Sequence, residues 1–163
     1  MNPKLVDKLE KANAEKDAIH KVFKKIGAKK PKDLDDNFQV LHTETFKKLD
    51  CLTCANCCKT TSPIFRDVDI KRIAKNLRMK EKEFIRNYLK MDDEDDFVLQ
   101  SSPCSFLGND NKCGIYEFRP LACREYPHTD RKNMHQILDL TAKNMEICPA
   151  VADIVLQITN KYS

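Results

Sequence analysis

Residues 51–58 read Cys51-Leu52-Thr53-Cys54-Ala55-Asn56-Cys57-Cys58, four cysteines in eight positions. The chain holds eight cysteines in 163 residues, so half of them stand in this one stretch. One or two cysteines are readily explained as small buried apolar side chains. Four packed this closely are not. Cys-x2-Cys spacing lets a tight turn bring two sulfurs to one side, and it occurs twice, at Cys51–Cys54 and Cys54–Cys57. Zinc sites and iron–sulfur clusters both use such runs. Metal–sulfur bonds are about 2.3 Å long, so the thiolates of one site must converge. Cys58 directly after Cys57 adds a constraint, because neighbouring side chains diverge by about 180° in a strand and about 100° in a helix. The pair points to two adjacent sites, or to one polynuclear cluster reached from two sides. Four ligands per site would divide eight cysteines into two sites.

The other four cysteines have contexts of their own. Cys104 follows Pro103, and Cys113 leaves the turn-forming run Gly108-Asn109-Asp110-Asn111-Lys112. Cys123 lies just inside a short helix opened by Pro120, where free N–H groups favour a thiolate. Cys148 precedes Pro149, which suits the N-cap and first position of a final helix. All eight cysteines are therefore candidate ligands. Eight thiolates carry −8, and two divalent ions leave about −4, a charge that needs pairing if it is buried. Arg119 and Arg124 flank Cys123 and are the candidates to supply that pairing around the ligands. His128, close to Cys123 in sequence, is a candidate further ligand. His20, His42 and His135 fall in helical patterns and need no special role.

Taken together, Cys51-x2-Cys54-x2-Cys57-Cys58, Pro103-Cys104-x-Phe106-Leu107 and Cys113-x-Ile115-Tyr116-x2-Arg119-Pro120-x2-Cys123-Arg124-x-Tyr126-Pro127 resemble the YkgJ-type cysteine-cluster family. The stretch with Asp69-Ile70 and Phe84 between the cysteine groups fits as well. The resemblance covers about residues 50–150 and implies a zinc- or iron-chelating domain. It supplies no reaction. Related clusters occur in flagellin lysine methylases, alongside further sequence that this chain lacks.

Outward from the cysteines the pattern is helical. Leu5, Leu9, Ala12, Ile19, Val22, Phe23 and Ile26 recur at helical spacing after Asn2 and Pro3, good residues for a cap and first turn. Gly27 is placed to end that helix in a left-handed turn. Phe38, Leu41, Thr45, Phe46 and Leu49 mark a second helix, completing a hairpin. Residues 67–78 and 81–91 read as two more helices, and the last third is helical again. Phe97-Val98-Leu99 and Cys113-Gly114-Ile115-Tyr116 are β-like, which suggests a small hairpin carrying Cys104 and Cys113. The expected fold is mainly α, a small helical domain with a short β-hairpin and long loops organised around cysteine metal sites. Residues 1–49 form the helical hairpin packed on the rest, and residues 50–163 the metal-binding domain.

Several function classes recede. Apolar runs are far shorter than the roughly 20 residues that cross a membrane, and the first residues are charged rather than apolar. The chain reads as cytoplasmic, where thiols stay reduced and serve metals rather than disulfides. Net charge is +4, lysines and acids interleave, and Trp is absent, which does not direct the chain to nucleic acid. The acidic run 92–96 lacks the Gly and distal Glu of a calcium loop. The βαβ setting of a thioredoxin-like dithiol is missing. Gly108 and Gly114 are the only glycines after Gly27, so no Gly-rich nucleotide or methyl-donor loop is visible.

The reading is a metal-binding protein holding zinc or iron, one form being a [4Fe–4S] cluster, at one or two sites. The balance leans away from an enzyme. A cluster-dependent methyl-transfer or redox catalyst is the alternative, and so is an interaction module folded by structural metal. The N-terminal helices offer a surface to a protein partner.

Overall fold

The computed structural model describes residues 3–163. Asn2, the expected helix cap, lies outside the described residues. The helices are α1 (Pro3–Ala14), α2 (Lys16–Lys29), α3 (Leu34–Lys48), α4 (Asn56–Thr60), α5 (Asp67–Asn76), α6 (Glu81–Tyr88), α7 (Leu121–Glu125), α8 (Leu138–Met145) and α9 (Pro149–Tyr162). Two short strands, β1 (Leu89–Met91) and β2 (Phe97–Leu99), pair antiparallel. The fold is mainly α with one small hairpin, as its periodicity predicts. The chain divides into two compact units. The first joins the residues up to Cys54 with Pro127–Ser163, and the second is Ala55–Tyr126.

The first unit is built on α9. Nine of its fourteen residues are buried, among them Val151, Ile154, Val155 and Ile158. A helix apolar nearly all round needs cover on several sides, and α1, α2, α3 and α8 provide it. Ile19, Phe23, Ile26, Leu34 and Phe38 supply much of the facing core. The first expected helix is in fact two, interrupted at Glu15 (φ −94, ψ 8). Gly27 does not end the second. It lies inside α2 where a Cβ would meet nothing within 4 Å, and the left-handed turn falls on Lys30 at φ 46.

Two ties fix the ends of this unit. Asp35 accepts the backbone N–H of Asn133 and Met134 at 2.6 and 2.9 Å. The Tyr162 hydroxyl donates to Asp33 Oδ1 at 2.9 Å and accepts from Asn37 Nδ2 at 2.8 Å. Burial, then the Asp33 hydrogen bond, pushes the Tyr162 phenol up to about 12. The same bond leads the effects that hold the Asp33 carboxyl below its usual range. Tyr162→Phe should therefore cost a little stability at neutral pH, since the hydrogen bond it removes is exposed and weakened by solvent. A raised phenol stabilises the fold below the unfolded value of about 10 and loses that contribution as pH rises toward the folded value. A depressed carboxyl contributes above about pH 4 and loses it as pH falls. Denaturant unfolding of wild type and Tyr162→Phe should differ at pH 7 and converge as pH rises from about 10 toward about 12.

The second unit has a smaller core of Phe65, Ile70, Ile73, Ala74, Phe84, Leu89, Leu99 and Ile115. It comes from α5, α6 and the β-hairpin, with Phe65 and Ile115 added from the connecting segments. The hairpin is not the one expected. Residues 89–91 leave the helical pattern as β1 and pair with Phe97–Leu99. The acidic run closes this hairpin: Asp92 Oδ1 accepts the backbone N–H of Glu94 and Asp96 at 2.9 and 3.0 Å, and Asp95 takes φ 62. Cys113 forms only an isolated bridge with Leu107.

Candidate metal centre

Five of the eight cysteines belong to the second unit and three to the first. None of the eight is in a disulfide. In the second unit, Ala55 at φ 49 turns the chain into the single-turn helix α4, which carries Cys57 and Cys58. Their sulfurs are 4.0 Å apart. Two sulfurs on one tetrahedral centre would stand roughly 3.8 Å apart for bonds of about 2.3 Å. Adjacency alone therefore does not assign the pair to separate sites, contrary to the divergence expected of neighbouring side chains.

Three further cysteines gather around Cys58. The Cys104 N–H donates to the Cys58 carbonyl at 2.8 Å, pinning residues 103–107 to α4. The turn that follows is tight: Gly108 N–H donates to the Lys112 carbonyl at 2.8 Å, with Asn111 at φ 62. A Cβ on Gly108 would lie 2.8 Å from Asp110 Oδ1 and 3.3 Å from the Lys112 carbonyl oxygen, so a larger residue would have to displace the Asp110 side chain. The turn returns the chain so that Cys113 faces Leu107 and Gly114 N–H reaches the Phe106 carbonyl at 2.8 Å. Residues 116–118 form a 3₁₀ turn, Pro120 caps α7, and Cys123 lies in its first turn.

The ionisation of these thiols records their mutual proximity. Burial, followed by the charges of Cys58, Cys104 and Cys113, raises the Cys123 thiol to about 12. Burial also raises Cys104, with Cys58 and Cys113 adding to it. Cys113 is raised by burial and by Cys58. The hydrogen bond with Cys57, then burial, raises Cys58. Opposing this are N–H groups aimed at sulfur. The Phe106 N–H lies 3.5 Å from Cys104 Sγ, and Ile115 donates similarly to Cys113. The positive charge of Arg119 lowers both Cys113 and Cys123. The helix-start lowering expected at Cys123 is thus outweighed by desolvation and by its neighbours.

In the first unit Cys51 and Cys54 belong to the turn after α3. Cys51 opens a 3₁₀ turn whose Asp50 side chain accepts the Leu52 N–H at 2.9 Å. Cys148 is the N-cap of α9 with Pro149 at the first position, as the Cys-Pro pair predicts. Its thiol is raised to about 11, by burial first and by the charges of Cys51 and Cys54, against the lowering effect of the Val151 and Ala150 N–H groups. These three thiols therefore sense one another. Among the described residues no group of three or more Cys, His, Asp or Glu side chains is drawn tightly enough to hold a metal as it stands. The sulfurs are close enough to shift each other's ionisation, not at bonding convergence. A shallow groove lined by His20, Lys24, His135 and Asp139 contains no thiol.

The basic residues divide their roles. Arg119 stacks over the Tyr116 ring at 3.7 Å and donates to the Tyr116 carbonyl at 2.6 Å. Arg124 donates to the carbonyls of Arg119 and Glu117, both at 3.2 Å, so it grips backbone. His128 stands in the first unit at φ 66. Sequence reading missed what lies under this loop. Asp69 is fully buried, and Arg72 joins it to the backbone of residues 118–121. Burial alone would raise the Asp69 carboxyl, but hydrogen bonds from Arg72, Arg66 and the Leu121 N–H together hold it low.

A family model described as "Putative zinc- or iron-chelating domain" (CxxCxxCC) matches residues 50–149. The chain belongs to the CxxCxxCC family. The match spans every cysteine described above, and the chain is accordingly a metal-binding protein of the zinc- or iron-chelating kind. No curated protein matches the chain. No solved structure matches it either. Among the described residues, no helix of this CxxCxxCC protein is long and apolar enough to cross a membrane.

Proposed function

We propose that this protein holds structural zinc or iron in thiolate sites, with one site formed within the second unit by Cys58, Cys104, Cys113 and Cys123. The observation that carries the reading is the set of mutual charge effects among these four thiols. Four thiols that raise one another's pKa destabilise a metal-free set of thiolates. A divalent cation at their centre reverses that repulsion. The donor set fits such an ion: four soft sulfurs, half-buried, two of them already receiving backbone N–H bonds. Rotation about one side-chain torsion per cysteine is available for final convergence. Cys51, Cys54 and Cys148 form the basis of a second thiolate group in the first unit. Cys57 is the fifth thiol of the second unit, beside Cys58. Arg119 supplies positive charge to Cys113 and Cys123, while Arg124 holds the loop. Eight cysteines with no disulfide among them suit a reducing compartment such as the cytoplasm.

Single Cys→Ser variants, purified anaerobically and analysed for zinc, iron and sulfide, test this directly. Cys58→Ser, Cys104→Ser, Cys113→Ser and Cys123→Ser should each lower the same fraction of bound metal. Cys148→Ser should leave that fraction in place. A brown colour with inorganic sulfide would identify an iron–sulfur cluster, and a colourless zinc-loaded protein would identify zinc. Full metal retention in all four of the first group would refute the assignment.

A further inference from the structure

We propose that Asp69 and Arg72 are positioning residues that hold the loop between Cys113 and Cys123, and so set the Cys123 sulfur for metal. This inference rests on the reading that the thiols of the second unit bind metal. Asp69 stands at 0% exposure in the first turn of α5. Both of its oxygens are occupied. Oδ1 accepts from Arg72 Nη2 at 2.6 Å and from the Leu121 N–H at 3.3 Å. Oδ2 accepts from the Arg66 N–H at 3.3 Å and from Arg66 Nε at 3.2 Å. Arg72 then reaches past the carboxylate, with Nη2 3.0 Å from the Arg119 carbonyl and Nε 3.3 Å from the Phe118 carbonyl.

One ion pair, with its carboxylate buried and its guanidinium part-buried, thus grips residues 118, 119 and 121, which lead directly into Cys123. A buried charge is costly unless it is paired and hydrogen-bonded. A spare surface pair at i,i+3 needs no burial, so the placement calls for something that the pair does. The loop has little else to hold it. α7 has five residues, too few to be stable as an isolated helix. Between Cys113 and Cys123 Ile115 and Pro120 are buried, with Phe118 half-buried. Arg124 grips the same stretch from its exposed side. A metal ligand on an unsupported loop must be ordered when metal binds. Held beforehand, it loses metal more slowly. Groups that orient ligands typically change metal affinity about 10–100-fold when removed.

The test uses the full chain loaded with Co2+, whose visible and thiolate charge-transfer bands report on ligand number and geometry. Asp69→Asn should speed metal transfer to a chelator by at least about tenfold and weaken the charge-transfer bands. Since this variant can also fail to fold, Leu121→Pro provides a second probe. Pro is suited to the first helical position, and Pro120 is already extended, so the change removes the N–H that Asp69 accepts. Its reference is Leu121→Ala, which also loses the leucine side chain but keeps the N–H. Leu121→Pro should release Co2+ about tenfold faster than Leu121→Ala. Equal release from the two, with unchanged Co2+ bands in a folded Asp69→Asn protein, would overturn the positioning role. Absence of thiolate bands in the wild-type protein would instead overturn the metal-site reading on which it rests.

Discussion

Chelation of the metal should open residues 55–61 and 100–126 to protease and thiol reagents while the helices of the first unit stay protected. The two units differ in what holds them without metal. The first has an extensive core around α9 and needs no further cross-link. In the second, the buried residues come almost wholly from α5, α6 and the β-hairpin. Residues 100–126 contribute only Ile115 and Pro120 to the buried set, with Cys104, Phe106, Cys113 and Phe118 half-buried. Structural metal binding can supply on the order of 10 kcal/mol, against a net stability of roughly 5–15 kcal/mol for a whole domain. Losing it should release this cysteine-bearing segment before anything else. Limited proteolysis with mass spectrometry, before and after chelation, would map the order. Retention of full protection and one cooperative melt by the metal-free protein would show a pre-formed fold, and would favour a catalytic metal over a structural one.

The second large effect is expected at Phe84. Its side chain is at 0% exposure and meets the Phe65, Tyr88 and Phe106 rings, with centroids 6.2, 5.3 and 6.2 Å away. Phe84→Ala removes a whole ring from a small core, at a cost of about 3–5 kcal/mol. The loss should extend to metal. Phe106 is stacked on Phe84, its N–H points at Cys104 Sγ and its carbonyl receives Gly114. Freeing that ring loosens the segment holding Cys104 and Cys113 together. Metal content after dialysis should fall in Phe84→Ala and not in Val68→Ala, whose side chain is 60% exposed on the same unit. Equal metal content in the two variants would show that the aromatic stack supports the fold without supporting the site.

Some of this was legible from residue order. Cys148-Pro149 marks the start of α9 because proline suits only the first turn, and α3 shows its apolar face plainly. The run at 108–112 was readable as a turn because glycine and asparagine tolerate its tight backbone. Other features needed tertiary context. Residues 89–91 continue the apolar pattern of α6, and only pairing with Phe97–Leu99 makes them a strand. The chain bends at Glu15 without a Pro or Gly to announce it. Asp69 and Arg72 look like any i,i+3 pair on a solvated helix, and nothing in their spacing tells that the carboxylate is buried or that it serves a loop fifty residues on. The cysteine motif was readable as a whole. The division into five thiols and three depends on where the chain crosses between units, which no spacing rule encodes.

That crossing bears on how the protein is made. The first unit is discontinuous: α1–α3 are synthesised early, and α9, the helix on which they pack, comes last of the described elements. The nascent chain therefore carries three amphipathic helices with no partner while residues 55–126 emerge. Those residues are contiguous, so they can acquire metal and close on themselves before α9 leaves the ribosome. Metal shortage during translation would leave both the inserted segment and the waiting helices exposed together, the state most open to aggregation and degradation.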